Sequence, residues 1–205
     1  MSDRTRIAVL ASGGGSNLQA IIDAATADDY PAEIVVVISD RPEAPALVRA
    51  QRAGIASTAV DWAGYDDRGV FTKAVCDTAE DHGARALVLA GFMRILAPVA
   101  IDRFPHRIVN IHPALLPAFP GAHAVREALD HGVKVTGVTI HFVDEEVDRG
   151  PIIYQEAVAV LPDDDEATLR NRIQAVEHRV YPRIVAALAT GDLSVDGRIV
   201  TWGAP

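Results

Sequence analysis

Ile7-Ala8-Val9-Leu10-Ala11-Ser12-Gly13-Gly14-Gly15-Ser16-Asn17 is the stretch on which the fold reading turns. A continuous apolar run with no polar alternation fits a short strand buried on both faces, and the glycines after it fit a tight turn. Leu18, Ile21, Ile22 and Ala25 then recur at helical spacing, with Ser16 or Asn17 placed to cap the helix. In such a turn the backbone can approach a ligand closely, and helix N-terminal N–H groups point at it, so a phosphate fits. Leu18 stands where the dinucleotide fingerprint has its third glycine, and no Lys follows the turn as in a P-loop. A mononucleotide-like phosphate site is therefore preferred to a nicotinamide site, with a purely structural turn as the alternative. Asp40, which could mimic a ribose-binding acid, is expected instead to cap the connection into Arg41-Pro42.

Outward from this stretch the alternation of strand and helix continues. Strands are expected at Ile34–Ile38, Ala56–Val60, Ala86–Ala90 and Arg107–Ile111, and helices at Pro45–Ala53 and Asp66–His82. That rhythm predicts an α/β fold: one Rossmann-like domain over residues 1–205, its sheet mostly parallel, with helices on both faces. Two strands, Val135–Val143 and Ile152–Val160, flank the acidic loop Asp144–Gly150 and read as an antiparallel addition in the C-terminal half. A helix follows over Asp165–Thr190, with Leu169, Ile173, Val176, Val180, Ile184 and Leu188 as its core stripe and Pro182 expected to kink it. Residues 191–205 give no readable signal.

The 205 residues are 49% hydrophobic and 23% charged, enough to bury a sizeable core. A net charge of −9 argues against a general nucleic-acid surface but not against a local anion site. Cys76 is the only cysteine, which excludes a disulfide framework or a thiolate metal cage within one chain and suits a reducing cytoplasm. No run approaches the about eighteen apolar residues that a membrane span needs, and Met1–Arg6 leads straight into the first strand instead of a signal peptide.

The candidate chemistry lies in Asn110-Ile111-His112-Pro113-Ala114-Leu115-Leu116-Pro117. Strand alternation puts Asn110 and His112 on one face, about 6.5–7 Å apart along the backbone. An amide can donate to a developing oxyanion and an imidazole can carry a proton near neutral pH, a pairing suited to acyl transfer without a covalent intermediate. Four acids, Asp144, Glu145, Glu146 and Asp148, are available to orient and tune the imidazole. Residue chemistry alone does not choose among them.

Together with Gly137-Val-Thr-Ile-His141-Phe-Val-Asp144, Asp148-Arg-Gly-Pro-Ile-Ile-Tyr-Gln155, Gly13–Asn17 and Gly91-Phe-Met-Arg-Ile-Leu96, this segment resembles the folate-dependent formyltransferases. The likeness runs from the first strand through the last helix and is nearest to the small members that formylate glycinamide ribonucleotide. It implies 10-formyltetrahydrofolate as co-substrate, no metal, and Asn110, His112 and Asp148 as the catalytic trio, with Asp148 raising the pKa of His112. It further implies ribonucleotide contacts at Gly15, Ser16, Asn17 and Glu177. Folate contacts are implied at Arg68, Met93, Arg94, Ile95, Leu96 and Asn110. Glu177 and Arg68 would otherwise pass for solvated helix charges, and Met93–Leu96 for core packing. Gly14 and Ala114 depart from the Asn and Ser that many members carry, without removing a proposed catalytic group. The implied partners are the two small molecules, with no nucleic acid and no membrane, a homodimer being left open.

His141 reads as a packing residue bordering the site, and Trp62 as packing. A formyl-tRNA-forming relative would be expected to carry a basic C-terminal domain, and a formyltetrahydrofolate hydrolase an extra domain before the first strand. A non-catalytic nucleotide-binding module is the rival from another class.

Overall fold

Residues 4–202 are described by a computed structural model, and the expectations that fall on residues 1–3 and 203–205 lie outside the described residues. The opening apolar run is β1 (Thr5–Leu10), followed by α1 (Ser16–Ala24), β2 (Ala32–Ser39), α2 (Pro45–Arg52), β3 (Ser57–Ala59), α3 (Arg68–Asp81) and β4 (Ala86–Leu89). After these come α4 (Pro98–Arg103), β5 (Ile108–His112), α5 (Ala124–Asp130), β6 (Val135–Phe142), β7 (Ile152–Ala159), α6 (Glu166–Thr190), β8 (Leu193–Asp196) and β9 (Ile199–Trp202).

One sheet takes all of these strands in the order β3-β2-β1-β4-β5-β6-β7-β9-β8. β3, β2, β1, β4 and β5 pair in parallel, while β5–β6 and β6–β7 pair antiparallel, as the change of rhythm predicts. Alternation along β1 divides its side chains between two cores. Ile7 and Val9 join the helices α1, α2, α5 and α6, whereas Ala8 and Leu10 join α3 and α4. Burying each such Val, Leu, Ile or Phe contributes about 1.5–3 kcal/mol, which is why an unbroken apolar run is held at the sheet centre.

Three expectations need correction. The N-cap of α1 is Gly15, in the left-handed region with no side-chain cap, so Ser16 already lies inside the helix. Asp40 does not cap Arg41; the Ser39 hydroxyl accepts that N–H (3.2 Å), and the buried Asp40 carboxylate pairs with Arg94. The tail is also structured: β8 and β9 form a hairpin around Asp196-Gly197, with Gly197 at φ 57°. An Asp-Gly pair between alternating apolar residues is the signal that could have found it. α4 and α5 were missed because six and seven residues are too few to display a helical period. α6 runs unbroken through Pro182, and its stripe is buried at Leu169, Ile173, Val180, Ile184 and Leu188.

Candidate active site

The C-terminal ends of β1, β4 and β5 lie side by side, and in a doubly wound sheet that edge is where ligands bind. Their loops, with the Asp144–Asp148 loop that follows β6, wall a cleft of about 560 Å³ whose lining includes the glycine turn Gly13–Asn17 and the segment Gly91–Leu96. Asn110 and His112 share the face of β5 turned to this cleft, while Val109 and Ile111 on the other face enter the core.

His112 is nearly fully buried. Its Nε2 lies 2.7 Å from the Phe119 carbonyl and its Nδ1 lies 3.4 Å from Asp148 Oδ2. Both ring nitrogens therefore face acceptors, an arrangement that a charged ring satisfies best. Burial nevertheless pushes the His112 pKa below its ordinary value, against the pull of the Asp148 charge and the Phe119 carbonyl. Asp148 does raise the ring's pKa, as the resemblance implies, but desolvation is the larger influence and the net shift is downward.

Of the four loop acids, Asp148 is the one that reaches the ring. It sits at φ 54°, a strained conformation for a residue with a side chain, and its Oδ2 accepts the Gly121 N–H at 2.7 Å. Burial raises its pKa, but contact with His141, the Gly121 N–H and the His112 charge outweigh this and hold it below the ordinary carboxylate range. Gly150 fixes the far end of the loop, since a Cβ there would lie 1.7 Å from the Phe142 carbonyl oxygen.

Asn110 Nδ2 lies 3.2 Å from His141 Nε2 and 3.4 Å from Asp148 Oδ1. Residue-level reading set His141 aside, yet β5–β6 pairing puts it directly across from Asn110. The buried Thr139 hydroxyl anchors the Pro113–Pro117 loop, donating to the Ala114 carbonyl (2.7 Å) and accepting the Leu116 N–H (3.0 Å).

Between residues 5 and 185 the sequence matches the formyl transferase family model. The chain belongs to that family. It is 48% identical over 198 residues to a phosphoribosylglycinamide formyltransferase of Mycobacterium tuberculosis, covering 97% of this chain and 91% of that one. A glycinamide ribonucleotide transformylase 1 from Symbiobacterium toebii superposes with a TM-score of 0.95 at 48% identity, over 98% of this chain and 95% of that chain. A formyltetrahydrofolate deformylase from Pseudomonas syringae pv. tomato also superposes, with a TM-score of 0.90, at 28% identity over 98% of this chain and 66% of that one.

In this formyl transferase the Met93–Leu96 wall is pinned from behind. The Ser12 hydroxyl accepts the Met93 N–H (2.7 Å), Arg94 Nε donates to Asp40 Oδ2 (2.7 Å), and the Thr72 hydroxyl accepts the Ala97 N–H (3.0 Å). Arg94 also lies 4.9 Å over the Trp62 ring, so Trp62 supports the wall as well as packing on Phe71. Met93 and Ile95 are left exposed, an apolar surface that a flat ring could cover. Arg68, by contrast, is exposed in the first turn of α3 and does not line the cleft.

At the glycine end, Asn17 Nδ2 donates to Glu177 Oε2 at 2.9 Å, both residues being buried. Glu177 is no solvated helix acid: burial raises its pKa, offset in part by the Asn17 amide and then by Arg170. A carboxyl whose pKa is higher folded than unfolded costs stability as pH rises through that window. Glu177→Gln should therefore raise the thermal midpoint at pH 7 and lose that advantage near pH 4, by about 2–4 °C for each kcal/mol involved. Calorimetric melts across pH 4–8 check this, and a difference that does not change with pH would remove the protonation argument.

Proposed function

We propose that the protein transfers the formyl group of 10-formyltetrahydrofolate to the amine of glycinamide ribonucleotide. The observation that carries this reading is the convergence of Asn110, His112 and Asp148 on a cleft joining a glycine turn to an apolar wall. The 48% identity to the M. tuberculosis phosphoribosylglycinamide formyltransferase supports the choice of acceptor.

In the proposed reaction the ribonucleotide phosphate lies at Gly15, Ser16 and Asn17, on the N-terminal amides of α1, and Glu177 meets the same substrate. The folate ring lies against Met93, Arg94, Ile95 and Leu96, with Asn110 at the formyl end; the exposed Arg68 remains a contact only for an outlying part of the folate. The substrate amine attacks the formyl carbon, forming its C–N bond and a tetrahedral oxyanion. The Asn110 amide donates to that oxyanion, and the charge of the His112 imidazolium, held between Phe119 and Asp148, stabilises it electrostatically. Arrival of negative charge lifts the His112 pKa, so the imidazolium keeps, against its burial, the proton with which it enters the reaction. Asp148 holds the imidazolium and relays the amine's proton toward the folate nitrogen. The bond from that nitrogen to carbon then breaks, and the formyl group stays on the acceptor. These steps need no metal and no covalent enzyme adduct, and the enzyme is cytoplasmic with one catalytic domain.

Likeness to the deformylase fold favours one second reading, in which water replaces the amine. Folate-product absorbance with purified protein and 10-formyltetrahydrofolate, with and without glycinamide ribonucleotide, separates the two. Turnover only with the ribonucleotide is expected. Release without an acceptor would mark a hydrolase, and no release in either tube would leave a binding module.

A further inference from the structure

Gly13, Gly14 and Gly15 have no side chains with which to hold their own turn, so its shape comes from what packs behind it. α2 packs there. The Ala46 N–H donates to the Gly13 carbonyl at 3.1 Å, and Arg49 Nε donates to the Gly14 carbonyl at 2.6 Å. Gly15 lies at φ 68°, and a Cβ on it would meet Ala46 Cβ at 2.9 Å, so the turn and α2 are in direct contact. Two consecutive carbonyls are thereby tied back to α2.

Arg49 does more than this one bond. Its Nη1 donates to Gln19 Oε1 at 3.1 Å, linking the glycine turn to the body of α1. The half-buried side chain also lines the cleft beside Gly14, and its charge reaches α6, where burial and then Arg49 depress the His178 pKa. A turn of peptide N–H groups with a helix terminus offers only partial positive charge, about half an elementary charge, and would hold many anions weakly. A guanidinium fixed by a carbonyl on one edge adds a full charge without needing to be reoriented.

We propose that Arg49 is a positioning residue that makes the glycine turn selective for a phosphate monoester: it ties back the Gly14 carbonyl and sets a fixed positive charge behind the amides. The inference rests on the ribonucleotide reading above. It also explains why α2 approaches the turn so closely that Gly15 tolerates no side chain.

The test compares Arg49→Gln and Arg49→Lys with the wild-type enzyme in steady-state kinetics. Arg49→Gln should raise the KM for glycinamide ribonucleotide by about ten- to a hundredfold, the scale of losing a hydrogen bond to a charged group. The kcat should fall by less than about threefold and the KM for folate should stay put, as expected when binding common to ground and transition states is removed. Arg49→Lys keeps the charge without the planar fork and should recover only part of the loss. Arg52→Gln, on the same helix but lining only the outer groove, is the control. Calorimetric binding of ribose 5-phosphate should weaken in Arg49→Gln in step with the KM, while ribose should bind neither protein. An unchanged ribonucleotide KM, or an equal rise in both KM values together with a lower melting temperature, would overturn the proposal. If the wild-type enzyme shows no ribonucleotide-dependent turnover, the functional reading fails instead, and ribose 5-phosphate binding still decides the role of Arg49.

Discussion

Asp148→Asn should lower kcat by about a thousand- to ten-thousandfold, the range seen when the carboxylate orienting a catalytic histidine becomes an amide. The substitution changes little in size. It removes the charge that works against the desolvation of His112, whose Nδ1 lies 3.4 Å away. It also sets an amide where two donors converge, the Gly121 N–H and Asn110 Nδ2, with His141 Nε2 3.6 Å away. Burial already lowers the His112 pKa, so without Asp148 the ring should hold its proton only at still lower pH. If a protonated His112 carries the reaction, the falling limb of the kcat profile should move toward acid in the variant. A profile of kcat from pH 5 to 9 checks both parts. A loss smaller than tenfold with the limb in place would remove Asp148 from the proposed mechanism.

Gly150→Ala is the second large effect, and it begins with sterics. An added Cβ would stand 1.7 Å from the Phe142 carbonyl oxygen and 2.8 Å from its carbon, both backbone atoms at the end of β6. No rotamer change relieves such a contact, so the loop or the strand end must shift. Overpacking of this kind costs about 1–3 kcal/mol and occasionally more. For a chain of this size that lowers the melting temperature by about 2–4 °C per kcal/mol. Because Asp148 is two residues away, the same shift should pull its carboxylate from His112 and cut kcat by at least about a hundredfold, as a misplacement of 1 Å can. A thermal melt and a single-turnover assay measure the two effects. Wild-type values in both would mean that the loop adapts freely.

The long elements were legible because burial on two faces or on one helical stripe leaves a periodic trace. β1, β2, β4 and α6 have it; α4 and α5 are too short for one, and β8 and β9 bury none of their side chains fully. Asn110 and His112 could be paired from a spacing of two. Asp148 could not be picked from four loop acids without the family resemblance, because a positive φ and a hydrogen bond to Gly121 leave no mark in composition. His141 became legible only through cross-strand register, which sequence spacing does not supply. Glu177 did leave a trace: it lies four residues after Ile173 and four before Tyr181, on the buried stripe. The eye passes over it because it is charged.

α6 contributes more than its packed stripe. The Tyr181 hydroxyl donates to the Leu89 carbonyl (2.8 Å) and shares its one hydrogen with the Val109 carbonyl (3.2 Å), on the strands that carry the wall and the amide, and Glu177 meets Asn17 across 160 residues of chain. At synthesis rates of about 5–20 residues per second, Asn17 leaves the ribosome roughly ten to thirty seconds before Glu177. Throughout that interval the nascent chain has the glycine turn without its counterpart on α6. A ribonucleotide bound as proposed would therefore steady the finished protein against unfolding and not the growing one.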